Sequence, residues 1–307
     1  MKKWLWFTGF LAVYLMLCAL AACAAGEGGA PAEGADGTDV PEAESSSVTC
    51  RVVTELDGQL LLAEEDGSGI YTVVLDGPAL TLDGAPFDPA EPGAYQALPG
   101  ASLAGAAVTV TFSGGVQESW PMGFSGLDAL DFSTAEFDNL GALYVTVLED
   151  LWCVDSGLNE NITELGVDLS ATRLTESEQA AVAWAFGQSV GLAPIQATWE
   201  ELVEQGTITA SPLLASGSDP ESQEPEHFFY EWEDGCLFSI TETDEPVIFN
   251  TPAMGPLSTE EADWEAVSFN AQKWRTSLGA YGFSRCAALR HAGGAWTNYT
   301  VGDEYIS

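Results

Sequence analysis

The chain has 307 residues, of which 47 are acidic against 8 Lys and Arg, for a formal charge of −39. That balance excludes nucleic acid as a partner, because binding it requires Lys and Arg to displace phosphate counterions, and it sets the body of the protein against anionic lipid by repulsion. The 46% hydrophobic content and ten tryptophans exclude an extended acidic polymer and require a packed core.

Lys2 and Lys3 precede an uncharged run from Trp4 to Ala22, the order of an export signal. At 19 residues the run also has the length of an uncleaved membrane helix. The cysteines separate these readings. Small residues, Ala21 and Ala22, stand before Cys23, whereas the bulky Leu17 stands directly before Cys18. Leu20-Ala21-Ala22-Cys23 resembles the lipobox of bacterial lipoproteins. The resemblance implies that residues 1–22 are a signal peptide and that the Cys23 thiol carries a diacylglyceryl group. It also implies a cell-membrane location with the protein facing the extracellular side, acyl chains contributing about 0.8 kcal/mol per buried methylene. Loss of the two lysines leaves 47 acids against six bases, a charge of −41. After Cys23, six acids face no base up to Ser47 and Val40 is the one sizeable apolar residue. Residues 23–47 therefore read as a disordered acidic tether reaching about 25–30 Å.

Residues 48–131 read as all-β. Strands at 48–56 and 60–63 flank Asp57-Gly58, a hairpin dipeptide. Further strands are expected at 70–75 and 107–112, with turns at Asp76-Gly77 and Asp83-Gly84 and a long surface loop from Pro86 to Pro99. At the end of this region Val108, Val110, Gly115, Glu118, Ser119, Trp120 and Pro121 form a segment that resembles the YobA-like domain, a family of small secreted bacterial proteins of unknown role. The resemblance implies a small OB-like barrel and an exported location, and no activity.

Residues 132–307 read as an α+β domain of three helices packed on an antiparallel sheet. Ser133 with Glu136, Thr175 with Glu178 and Thr198 with Glu201 each have the spacing of a capping box. Phe137, Leu140, Tyr144, Val147, Leu148 and Leu151 recur at three and four residues on the first helix. Gly191 and Gly206 are placed to stop the other two. Strands at 228–232 and 236–241 flank Asp234-Gly235, and strands at 279–289 and 296–301 flank Gly293-Gly294. Strict alternation in 279–289 would put Tyr281, Phe283, Arg285, Ala287 and Leu289 on one face. The acidic segments 216–226 and 244–263 read as surface loops. Cys236 with Cys286 is the expected disulfide, with free thiols the alternative.

The chemistry-bearing residues are few. Nucleophilic catalysis needs Ser or Cys beside a base, yet the mature chain has only His227 and His291, and Gly123-Phe124-Ser125-Gly126 lacks the spacing of a nucleophile elbow. Two isolated histidines do not make a zinc centre. No catalytic residue, metal ligand or cofactor is therefore assigned, and weak calcium binding in the acidic loops is the one metal reading left. Four of the six mature bases, Lys273, Arg275, Arg285 and Arg290, fall within 18 residues, near Trp274 and Trp296. Lys273, Trp274, Arg275, Arg285 and Trp296 are accordingly the expected ligand-binding residues, suited to an anionic or carbohydrate-like ligand by bidentate hydrogen bonds and ring stacking. The expected function is a non-catalytic binding or accessory module with a cell-wall, glycan or protein partner. The alternative is an extracellular hydrolase using paired carboxylates in the C-terminal domain.

Overall fold

The computed structural model describes residues 45–213, 227–244, 250–251, 255–256 and 263–307. The segments expected as signal and tether, up to Glu44 and including Cys23, lie outside them, as do the acidic segment 216–226 and most of 244–263, both expected as surface loops. The chain opens with β1 (Ser46–Leu56), β2 (Gln59–Glu64), β3 (Ile70–Val74), β4 (Ala79–Leu82), β5 (Ala85–Pro86) and β6 (Ala107–Phe112), followed by a short hairpin of β7 (Val116–Gln117) and β8 (Gly123–Phe124), and then β9 (Leu127–Ser133). Seven of these strands form one sheet in the order β3-β2-β1-β6-β9-β4-β5. Asp57 and Gly58 both have positive φ, 50° and 77°, as a two-residue turn matched to strand twist requires.

The expected OB-like barrel does not form. Leu60 to Ala63 are all buried because both faces of β2 are covered. Leu61 and Ala63, with Val53 and Ile70, face the helices. Leu60 and Leu62, with Val52 and Tyr71, face Phe87, Tyr95, Leu98 and Leu103. The segment expected as a free surface loop thus roofs the sheet. A barrel turns one face of its sheet onto itself, whereas here other parts of the chain occupy both. The outer edge of β3 is taken by Met122, which accepts from Thr72 N at 2.9 Å and donates to Ile70 O at 2.8 Å.

The chain continues through α1 (Leu140–Cys153), β10 (Glu164–Asp168), α2 (Glu176–Val190), β11 (Pro194–Gln196), α3 (Trp199–Glu204), β12 (Thr209–Leu213), β13 (His227–Glu231) and β14 (Gly235–Thr243). After a two-residue ladder of β15 (Asn250–Thr251) with β16 (Gly255–Pro256) come β17 (Trp264–Thr276), β18 (Gly279–His291), β19 (Tyr299–Thr300) and β20 (Asp303–Ile306). The boxes at Thr175 and Thr198 form reciprocally, and Gly191 ends α2 at φ 75°. The box at Ser133 does not form. Ser133 is still paired in β9, opposite Ala107, so α1 starts only at Leu140, whose N–H is met by Asp138 Oδ1 at 3.0 Å.

The second sheet runs β11-β10-β14-β17-β13-β12, with β18 also on β17 and β19 and β20 on β18. It is mixed rather than antiparallel, because β10 is parallel to both β11 and β14 and α2 supplies the β10-to-β11 crossover. The strands β13 and β14 do not pair across Asp234-Gly235. Both lie along one edge of β17, β14 from Thr243 to Leu237 and β13 beyond it at Glu231. Of the strand expected at 296–301 only Tyr299 and Thr300 pair.

The helices α1 and α2 lie between the two sheets. One core joins Val53, Leu61 and Ile70 of the first sheet to Tyr144, Leu148 and Phe186 of the helices and to Phe238, Phe269 and Phe283 of the second. The boundary expected at 131/132 falls at the end of the first sheet, and this core crosses it. The short α3 lies on the opposite face of the second sheet, where Leu202 packs on Trp232 and Leu237, so the three helices do not share one face. Among the described residues no helix is long and apolar enough to cross a membrane.

Candidate functional site

The six Lys and Arg among the described residues have different roles. Lys273 is on the inner face of β17, fully buried, donating to Val154 O and to Asn159 Oδ1. Arg275 is held by the carbonyls of Leu158, Glu160 and Glu233 at 3.3, 3.0 and 2.7 Å. Arg290 clasps the connection into α1, donating to Phe137 O at 3.1 Å and pairing with Asp138 at 3.0 Å, with its guanidinium 4.8 Å over the ring of Trp296. Trp296 is itself buried and donates to Asp138 Oδ1 at 2.9 Å. Arg285 is exposed and paired with Asp303. The expected cluster is therefore divided: Lys273, Arg275 and Trp296 join parts of the fold, while Trp274 and Arg285 are on or beside the outward face of the second sheet.

The remaining bases border a cleft of about 360 Å³ lined by Arg51, Arg173, Glu64, Glu65, Asp138 and Glu178 among others. Arg51 donates to Gly105 O, Glu136 O and Glu65 at 3.1, 2.6 and 3.1 Å, with Glu178 at 3.5 Å. Arg173 Nε donates to Glu242 Oε2 at 2.7 Å, and the other oxygen of Glu242 accepts from Tyr144 O–H and Arg173 N–H, both at 2.9 Å. The cleft has carboxylates in number, but those of Glu64, Glu65, Asp138 and Glu178 each accept a hydrogen bond or ion pair from the fold. Among the described residues no group of three or more His, Cys, Asp or Glu is placed to hold a metal. His291 is exposed beside Trp264, and the side chain of His227 lies outside the described residues.

Cys236 and Cys286 are free thiols. Cys286 is level with Phe269, which pairs with Glu242, six residues along β14 from Cys236. That offset is about 20 Å at strand rise, against a Cα separation of less than about 7 Å for a disulfide.

The outward face of the second sheet differs from the rest of the surface. On β17 Val267, Phe269, Ala271 and Lys273 point inward, so Ser268, Asn270, Gln272 and Trp274 point outward. Their neighbours on β14 are Thr243, Thr241, Ser239 and Leu237, and on β18 Gly282 is level with Gln272 and Ala280 with Trp274. None of these side chains is charged. At one end Trp274 lies 6.5 Å from Trp199 of α3, whose ring meets Tyr230 at 4.9 Å. On the other side Tyr305 of β20 lies over Gly282, where an added Cβ would stand 2.3 Å from its ring, and donates to Gln272 Oε1 at 3.0 Å. The acids on the flanking strands are engaged, Asp168 by Ser170 at 2.7 Å and Asp303 by Arg285.

The amide and hydroxyl row does not stand out in the sequence. Its signal is the alternation Ser-Phe-Asn-Ala-Gln-Lys-Trp at 268–274, disguised because a lysine occupies an inward position and a tryptophan an outward one. No family model, curated protein or solved structure matches the chain, so the reading of this face rests on its own geometry.

Proposed function

We propose that the protein is an exported, lipid-anchored binding module, held to the membrane through Cys23 and the acidic tether, that captures a ligand without turning it over. The observation that carries this reading is the uncharged face of β14 and β17 in a chain with 47 acids. A solvated acidic surface needs no such gap, whereas a recognition surface for an uncharged partner does. The groups of the cleft at Arg51 and Arg173 are engaged with one another, which suits a structural role better than acid and base work.

Two measurements test the reading. Labelled fatty acid fed to the cells should enter the parent protein and not the full-length Cys23→Ser variant, and a parent that takes up no label would point to an uncleaved helix. The mature chain carrying Cys23→Ser, heated with cell-wall fragments, should gain about 2.7 kcal/mol at one hundred times the dissociation constant, raising the midpoint by roughly 5–10 °C. Millimolar calcium is run beside it, since a shift reversed by chelator would assign binding to the acidic loops. Turnover of the fragments, abolished by one Asp or Glu substitution, would overturn the module reading in favour of a hydrolase.

A further inference from the structure

We propose that the outward face of the second sheet, centred on Gln272, binds an uncharged glycan whose sugar rings stack on Trp274 and Tyr305 and whose hydroxyls meet Ser239, Thr241, Asn270 and Gln272. The inference rests on the reading of the protein as a binding module and names its ligand class.

Charge is the first argument. A chain with a net charge of −39 repels anions and draws cations to its acidic surfaces, whereas the β14 and β17 rows of the strip carry no acid and Asp168, level with Ser239 on β10, stands at their border. The strip selects a partner that is neutral and rich in hydrogen-bonding groups. Unused hydrogen-bonding capacity is the second. Asn270 Oδ1 accepts from Arg285 N–H at 2.9 Å and Gln272 Oε1 from Tyr305 O–H at 3.0 Å. The amide donors of both side chains and the hydroxyls of Ser239 and Thr241 make no hydrogen bond to another described residue. Each amide is thus held by its oxygen with its NH₂ left over, an orientation fixed before any ligand arrives.

Shape is the third argument. The groups stand on adjacent strands paired in register, Ser239 beside Gln272 and Thr241 beside Asn270, so they form a flat grid on rigid backbone. Aromatic side chains border the grid on two sides. Glycine at 282 lets the Tyr305 ring lie down against β18, which turns the phenol into a platform. Sugars present flat apolar C–H faces and peripheral hydroxyls, and a grid of amides and hydroxyls with aromatic borders answers both.

The mature chain with Cys23→Ser is probed on an array of neutral hexose, pentose and N-acetylhexosamine oligomers beside uronic-acid and sulfated oligomers. The expected result is binding to neutral oligomers alone. Trp274→Ala and Gly282→Val should each weaken the strongest signal tenfold or more, Tyr305→Phe a few-fold, and Arg285→Ala less than twofold. Circular dichroism and the thermal midpoint confirm that each variant is folded, and Tyr305→Phe leaves a test that does not depend on Gly282→Val folding. Binding confined to anionic oligomers, or no binding to any oligomer, overturns the proposal. Neutral binding indifferent to Trp274 and Tyr305 removes this face while leaving the module reading intact. Co-sedimentation with intact cell walls by a protein that binds no oligomer likewise spares the module reading.

Discussion

Lys273 shows what one residue does when it stands at an apolar position. Ser177 and Lys273 are the only buried polar or charged side chains among the described residues, and burial holds the Lys273 ammonium below its usual pKa. Its acceptors are Val154 O, just past α1, and Asn159 Oδ1, at the end of the turn that follows. The side chain therefore ties the C-terminal end of α1 to β17. Lys273→Ala should destabilise by about 2–4 kcal/mol in a urea melt, from the cavity and two orphaned acceptors together. The cysteines give a second residue-level test. Burial pushes the thiols of Cys50, Cys236 and Cys286 up to about 12, so they stay protonated and shielded, while Cys153 is exposed. Maleimide should label one thiol in native residues 23–307 carrying Cys23→Ser and four in denaturant. Rapid labelling of two or more in the native state would mean that the core around β14 or β18 opens.

At the scale of elements the informative feature is the bulge in β18. Between the pairs Phe269–Cys286 and Ala271–Phe283, the two residues Ser284 and Arg285 oppose Asn270 alone, and Arg285 has φ 53°. The extra residue swaps the faces of the strand. Tyr281 and Phe283 before it and Cys286 and Ala288 after it all face the helices, which strict alternation forbids. Asn270 supports the bulge through its bond to Arg285 N–H. Asn270→Ala should therefore cost about 1 kcal/mol, whereas Arg285→Gly should lie within about 1 kcal/mol of the parent, relief of the positive φ offsetting loss of an exposed ion pair. A loss above 2 kcal/mol for Arg285→Gly would show instead that the pair with Asp303 anchors β20. The same bulge explains what could be read beforehand. The caps at Thr175 and Thr198 and the Asp57-Gly58 turn are local rules, and each was legible. The bulge carries no glycine, so nothing in the residues announced it. The open first sheet had a signal in the unbroken run Leu60 to Ala63, which means cover on both faces. Of the candidate site, Trp274 stood out for its type, but polar residues alternating in a strand look the same whether they face water or a ligand.

The whole molecule faces a shortage of bases, and its aromatic residues meet part of it. Tyr71 donates to Glu64 at 3.2 Å, Tyr144 to Glu242 at 2.9 Å, Tyr299 to Asp150 at 2.6 Å and Tyr281 to Glu304, while Trp232 and Trp296 donate to Glu164 and Asp138 at 2.6 and 2.9 Å. Six carboxylates thus gain donors that carry no charge; Glu242 and Asp138 also have an arginine, while for Glu64, Glu164, Asp150 and Glu304 the aromatic donor stands where an ordinary protein would use Lys or Arg. The arrangement has a cost at high pH. Burial, reinforced by Glu64, pushes the Tyr71 phenol up to about 12. Burial reinforced by Glu242 and by Asp150 raises Tyr144 and Tyr299, and the bond to Glu304 raises Tyr281. These folded values lie above the unfolded one near 10, so the native state keeps protons that the unfolded state gives up. The stabilisation is complete below pH 10 and is lost as pH rises through the folded values, at about 1.4 kcal/mol per pH unit for each buried tyrosine in that window. Tyrosinate absorbance and far-ultraviolet circular dichroism followed together from pH 9 to 13 should change in one cooperative step, and Tyr144→Phe should make the fall of stability with pH shallower. Tyrosines titrating near pH 10 with the dichroism unchanged would show that these phenols are not engaged by carboxylates, and the shortage of bases would then have to be met in another way.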